Sequence, residues 1–81
     1  MVSANQLIQL GLKDMEAYYN LLLNKVDMLE IEAADTMIER MSLGQIAGCI
    51  RYVNTIALDD QNSMPKCKKT LELIINELEI R

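Results

Sequence analysis

The chain has 81 residues, 51% of them apolar, and carries a formal charge of −4 from eight Lys and Arg against twelve Asp and Glu. That length supports one domain with a small core. The acidic balance disfavours a nucleic-acid or anionic-membrane surface, since both need concentrated cations.

Histidine is absent, which removes an imidazole general base, Ser-His and Cys-His nucleophile pairs, and any His-containing zinc site. One Pro and three Gly interrupt the sequence, and no uninterrupted apolar run exceeds three residues, as at Leu21 to Leu23. Such runs are far shorter than a membrane span. No basic stretch leads into an apolar one at the start, and two cysteines without a secretion signal read as reduced thiols. A cytoplasmic chain is expected. Apolar residues recur at helical spacing from end to end, so the expected fold class is all-α. The reading is a single domain, 1–81, built as a compact three- to four-helix bundle with short connections.

The first predicted helix covers 4–24, with a cap at Ser3 or Asn5. Gln6, Gln9, Lys13, Glu16, Asn20 and Asn24 form one narrow polar stripe, which leaves an apolar arc much wider than a surface helix needs. Leu7, Ile8, Met15, Tyr18, Leu22 and Val26 centre that arc. Leu10 and Leu21 form one shoulder, Leu12 and Leu23 the other. Gly11 lies inside the arc, where another helix could approach closely.

The second helix, 28–41, is expected to start from a capping box, Asp27-Met28-Leu29-Glu30. No Gly or Pro marks the join, so one continuous helix is the rival reading. Between Val26 and Glu39 stand five acids (Asp27, Glu30, Glu32, Asp35 and Glu39) and no Lys or Arg. Glu32, Asp35 and Glu39 share one helix face, which suits a solvated surface or a docking face for a basic partner.

A second capping box, Ser42-Leu43-Gly44-Gln45, opens a third helix over 43–58. Its predicted inner face is Leu43, Ile46, Ala47, Ile50, Val53 and Ala57. Gly44 and Gly48 form a GxxxG on another side, where a neighbour could come close. The polar stretch from Asp59 to Ser63 is a loop; it resembles part of a calcium loop but lacks the required Gly and the bidentate Glu. Ser63 is the expected cap of a fourth helix, 64–80, with Pro65 in its first turn. Met64, Cys67, Leu71, Ile74, Ile75 and Leu78 make its predicted inner stripe, with Leu73 and Ile80 pointing away.

Catalytic and cofactor chemistry finds little support. No CxxC is present, so no four-ligand metal site is expected. Cys67, between Lys66 and Lys68 near a helix start, is the one thiol with a setting that could lower its pKa, though its place on the apolar stripe favours packing. A small all-α enzyme that binds a dicarboxylate needs several inward cations. The arginines here, Arg40, Arg51 and Arg81, are widely separated.

The functional expectation is therefore contact. The chain reads as a small non-enzymatic protein-interaction module (an adaptor, inhibitor or chaperone-like regulator) that docks by helix faces and self-associates through the first helix, as a dimer, with no cofactor and no small-molecule substrate. Candidate partner-binding residues are Leu10, Leu12, Leu21 and Leu23 on the first helix, with Leu73 and Ile80 on the fourth. Tyr18, Tyr19 and Tyr52 are the expected hot spots, and Glu32, Asp35 and Glu39 the acidic ones. The alternative is a nucleic-acid-linked regulator. It would either bind DNA weakly through Lys66, Lys68 and Lys69, or mimic DNA through the acidic face.

Overall fold

The computed structural model describes residues 12–81, and their side chains from residue 14 onward. Among them are four helices and no strand: α1 (Leu12–Asp27), α2 (Ile31–Glu39), α3 (Leu43–Asp59) and α4 (Met64–Ile80). A single 3-10 turn, Gln61–Ser63, links the last two. The all-α bundle read from the periodicity is what the chain forms. α1 and α4 touch each other, and each packs against both α2 and α3.

α1 is helical because Met15, Tyr18, Tyr19, Leu22, Leu23 and Val26 recur at spacings of three and four and bury one broad face. Asp14 in its first turn and Lys25 in its last match the helix dipole. The helix ends in a left-handed residue. Leu29 has φ 62°, its N–H donates to the Val26 carbonyl at 3.0 Å, and the Glu30 N–H donates to the Lys25 carbonyl at 2.9 Å. This is the Schellman pattern, with Leu where Gly is usual. The Lys25–Glu30 ion pair, 3.3 Å, joins the two positions that more often share an apolar contact.

The expected Asp27–Glu30 capping box is thus replaced. Asp27 closes α1, and α2 starts after Glu30, whose side chain caps nothing. The chain does break between the first two helices, so the single-helix rival fails. The break is made by backbone bonds that no Gly or Pro announces.

α2 buries Ala34 and Ile38, with Ile31 and Met37 on its shoulders. Its far end is closed by a distant residue. The Arg81 guanidinium donates to the carbonyls of Ile38, Glu39 and Met41 at 3.4, 3.3 and 2.8 Å, and it also pairs with Glu77 at 2.8 Å. A cation over a helix C-terminus satisfies orphan carbonyls and meets the negative end of the dipole.

The Ser42 capping box forms as expected. Gln45 N–H donates to Ser42 Oγ at 3.2 Å, and Ser42 N–H donates to Gln45 Oε1 at 2.8 Å. The face that α3 buries, however, is Ile46, Cys49 and Val53. Leu43 and Ala47 are exposed, because the inward arc is turned toward the Cys49 side of the predicted stripe.

The cap before α4 also differs from expectation. Ser63 makes no cap; Asp60 holds the turn, accepting from the Asn62 N–H and the Ser63 hydroxyl at 3.0 Å each. α4 then buries Cys67, Thr70, Leu73 and Ile74. Its inward arc is rotated toward Leu73, so Met64, Ile75 and Leu78 of the predicted stripe stand at the exposed edge. Thr70 is tolerated inside because its hydroxyl donates to the Lys66 carbonyl at 2.7 Å. Among the described residues, no buried polar side-chain atom lacks a partner.

Leu29 sits 81% exposed in a conformation that favours glycine. The left-handed form costs a non-glycine residue about 1–2 kcal/mol, and the added freedom of unfolded Gly returns roughly 0.5 kcal/mol of that. Leu29→Gly should raise stability by about 1 kcal/mol, seen as a Tm rise of roughly 5 °C. An unchanged or lower Tm would mean that the left-handed turn is not held at this cost.

Candidate interaction surfaces

Two of the three tyrosines belong to the core. Tyr18 and Tyr19 are each 5% exposed. The Tyr18 hydroxyl donates to the Met37 carbonyl on α2 at 2.9 Å, and the Tyr19 hydroxyl donates to the Gln45 carbonyl on α3 at 2.8 Å. Tyr52 is half-buried. Its hydroxyl donates to Asn20 Oδ1 at 2.8 Å, and its ring lies 5.7 Å from that of Tyr19 at a tilt of 43°, a favourable aromatic arrangement. Burial raises the pKa of Tyr18 and Tyr19 above the ordinary value.

Gly48 makes room for this contact. A Cβ at Gly48 would stand 3.0 Å from the Tyr19 hydroxyl oxygen, while one at Gly44 would meet open space apart from Ser42 Oγ at 3.9 Å. Close approach on this side of α3 is therefore made at Gly48, and inside the chain.

Leu23 and Leu73 are also core residues. They and the two buried tyrosines are corrections to the predicted contact set. The described part of the apolar arc, Met15 to Val26 with Leu21 excepted, is covered by α2, α3 and α4, and α4 turns Leu73 inward. Leu21 and Ile80 remain exposed, as do Glu32, Asp35 and Glu39 on the outer face of α2. Leu10 and the side chain of Leu12 lie outside the described residues, with Gly11 and the start of the predicted first helix.

Among the described residues, most of the exposed apolar surface lies elsewhere than α1, on which Leu21 is the exposed large side chain. Met64, Ile75 and Leu78, with half-buried Leu71 between them, run along one edge of α4. Leu43, Leu58 and Ile80 are exposed near helix ends, and Met28 and Leu29 at the α1–α2 corner. Beside that corner an open groove of about 580 Å³ is lined by Leu29, Glu30, Ile31, Glu32, Ala33 and Thr36.

Of the three clustered lysines, Lys66 is half-buried, Lys68 is exposed, and Lys69, also exposed, pairs with Glu72 at 3.8 Å. Asp60, read as part of a calcium-like stretch, spends both carboxylate oxygens on its own turn. Among the described residues no group of three or more Cys, Asp or Glu could hold a metal ion, and no helix is long and apolar enough to cross a membrane.

Sequence spacing placed the exposed acids correctly. It missed the corner groove and the reach of Arg81. The groove depends on a left-handed leucine, and the Arg81 contacts join residues roughly half the chain apart, neither of which leaves a local pattern.

No family model, curated protein or solved structure matches the chain.

Both cysteines are buried and free. Burial pushes the Cys49 thiol up to about 12. Cys67 is also raised, chiefly by burial and further by Asp60, against a lowering from Lys66. The setting expected to activate Cys67 is overcome by desolvation.

A thiol whose pKa is raised by folding keeps its full contribution below its ordinary value near 9. Above that pH the unfolded chain loses the proton first, so stability falls as pH rises from about 9 toward 12. Urea unfolding at increasing pH should show a loss of about 1.4 kcal/mol per pH unit from Cys49 in that window, and Cys49→Ala should flatten the slope. A slope equal in the two proteins would place the Cys49 thiol in water.

Proposed function

We propose that this protein is a non-enzymatic interaction module that works by presenting helix faces to another protein chain, including its own copy. The observation that supports this most is the α4 edge. Met64, Ile75 and Leu78 stay exposed beside half-buried Leu71, although the bundle already has a closed core. A surface of this kind gains roughly 25 cal/mol for each Å² of apolar area that a partner removes from water, and contiguous exposed apolar patches commonly mark interfaces.

From Met15 to Val26 the first helix offers little surface for this contact, since its apolar side chains other than Ala17 and Leu21 are buried inside the chain. Self-association is accordingly assigned to α4. Its antiparallel or parallel pairing would use the stripe at positions 64, 71, 75 and 78, which recurs at helical spacing.

The solution mass, measured by light scattering across concentration, tests the reading. A dimer is expected, with Ile75→Glu and Leu78→Glu each shifting the equilibrium toward monomer by about tenfold or more, equivalent to at least 1.4 kcal/mol. A strict monomer that binds no apolar dye would defeat the proposal.

A further inference from the structure

At the α1–α2 corner the chain leaves exposed an apolar surface that its fold does not use. Leu29 is 81% and Met28 68% exposed, and Leu29 is held in the left-handed region. Glycine would serve the turn better, so the turn itself does not explain why an isobutyl side chain stands there. That side chain forms one wall of the open groove, whose other walls are Glu30, Ile31, Glu32, Ala33 and Thr36.

The surroundings of the groove are anionic. Asp27 and Asp35 extend the carboxylates of Glu30 and Glu32, and all four are exposed. Of the described cations near them, Lys25 is paired with Glu30 at 3.3 Å, and Arg40, itself engaged, stands exposed one turn beyond Thr36. Asp27, Glu32 and Asp35 make no ion pair among the described residues. Thr36 turns its hydroxyl back to the Glu32 carbonyl at 3.1 Å, so it adds no free donor to the wall.

We infer that this groove is a docking site for a basic amphipathic segment of another protein, which sets apolar side chains against Leu29, Ile31 and Ala33 and Lys or Arg against Glu32 and Asp35. Charge selects this occupant. An identical chain brings a net charge of −4 and is repelled from an acidic rim. An anion at the uncapped start of α2 would meet Glu30 and Glu32 at close range. A basic segment gains Coulomb attraction and apolar burial together, and the helix-in-groove mode supplies both. The inference rests on the reading of the protein as an interaction module, but it uses a surface separate from the α4 edge.

The probe is a fluorescein-labelled helical peptide of about 15 residues with Leu on one face and Lys on the other, followed by fluorescence anisotropy and by amide chemical shifts of the full chain. Binding is expected to shift amides within 28–39. It should weaken about tenfold when Glu32→Gln and Asp35→Asn are combined, and fall as salt rises from about 50 to about 300 mM. Leu29→Gly should weaken binding at least threefold while the fold becomes more stable, a pairing that a purely structural leucine would not produce. Ile75→Glu should leave peptide affinity unchanged.

Several results would overturn the inference: no binding, equal binding by all variants, shifts centred outside the corner, or equal binding by a peptide with Ser in place of Leu. If the chain dimerises through α4 while the peptide fails, the docking site alone is lost.

Discussion

The burial of α1 governs the rest of this structure. Six of its apolar or aromatic side chains, Met15, Tyr18, Tyr19, Leu22, Leu23 and Val26, are almost fully removed from water, and one helix can be buried on so wide an arc only if three others surround it. The two tyrosines extend that constraint from area to geometry. Each carries a hydroxyl that must find an acceptor when buried, and each finds one on a different helix, Met37 on α2 and Gln45 on α3. Those bonds are worth about 1 kcal/mol each in net stability, and their greater effect is to fix where α2 and α3 lie against α1. Gly48 follows from the same constraint, because any larger residue there would press on the Tyr19 oxygen.

The short α2 shows how the bundle holds an element that is weak by itself. Nine residues are too few for an isolated helix in water, and Glu30 provides no side-chain cap at its start. Ala34 and Ile38 anchor it to the core, Tyr18 ties it to α1, and Arg81 closes its end from α4. Long-range contacts thus replace the local capping that Ser42 and Gln45 give to α3.

The fold class and four helical segments were legible because helical periodicity persists along the chain and Ser42-Leu43-Gly44-Gln45 is a strong local signal. Facing was harder to read. Leu73 and Ile74 are adjacent, and both become buried once α4 settles between α1, α2 and α3; spacing alone assigned only one of them inward. The tyrosines were misplaced for a related reason: their amphipathic rings suit an interface and a core equally, and only the carbonyls of Met37 and Gln45, which are remote in sequence, decide between them. Leu29 and Arg81 were illegible, since a left-handed leucine and a guanidinium across α2 depend on tertiary context.

These placements change what the wide apolar arc of the first helix and the 51% apolar content mean. The part carried by α1 from Met15 to Val26, Leu21 apart, builds the chain's own core, and among the described residues most of the exposed part lies along α4, at helix ends and at the α1–α2 corner. Native-state hydrogen exchange of the full chain tests this most directly, because it ranks the helices by the free energy needed to open them. Amides from Tyr18 to Val26 should exchange only through global unfolding, with protection matching the full stability measured by urea. Exchange of those amides through local opening, at a cost lower than for α3 or α4, would contradict α1 as the element on which the fold is built.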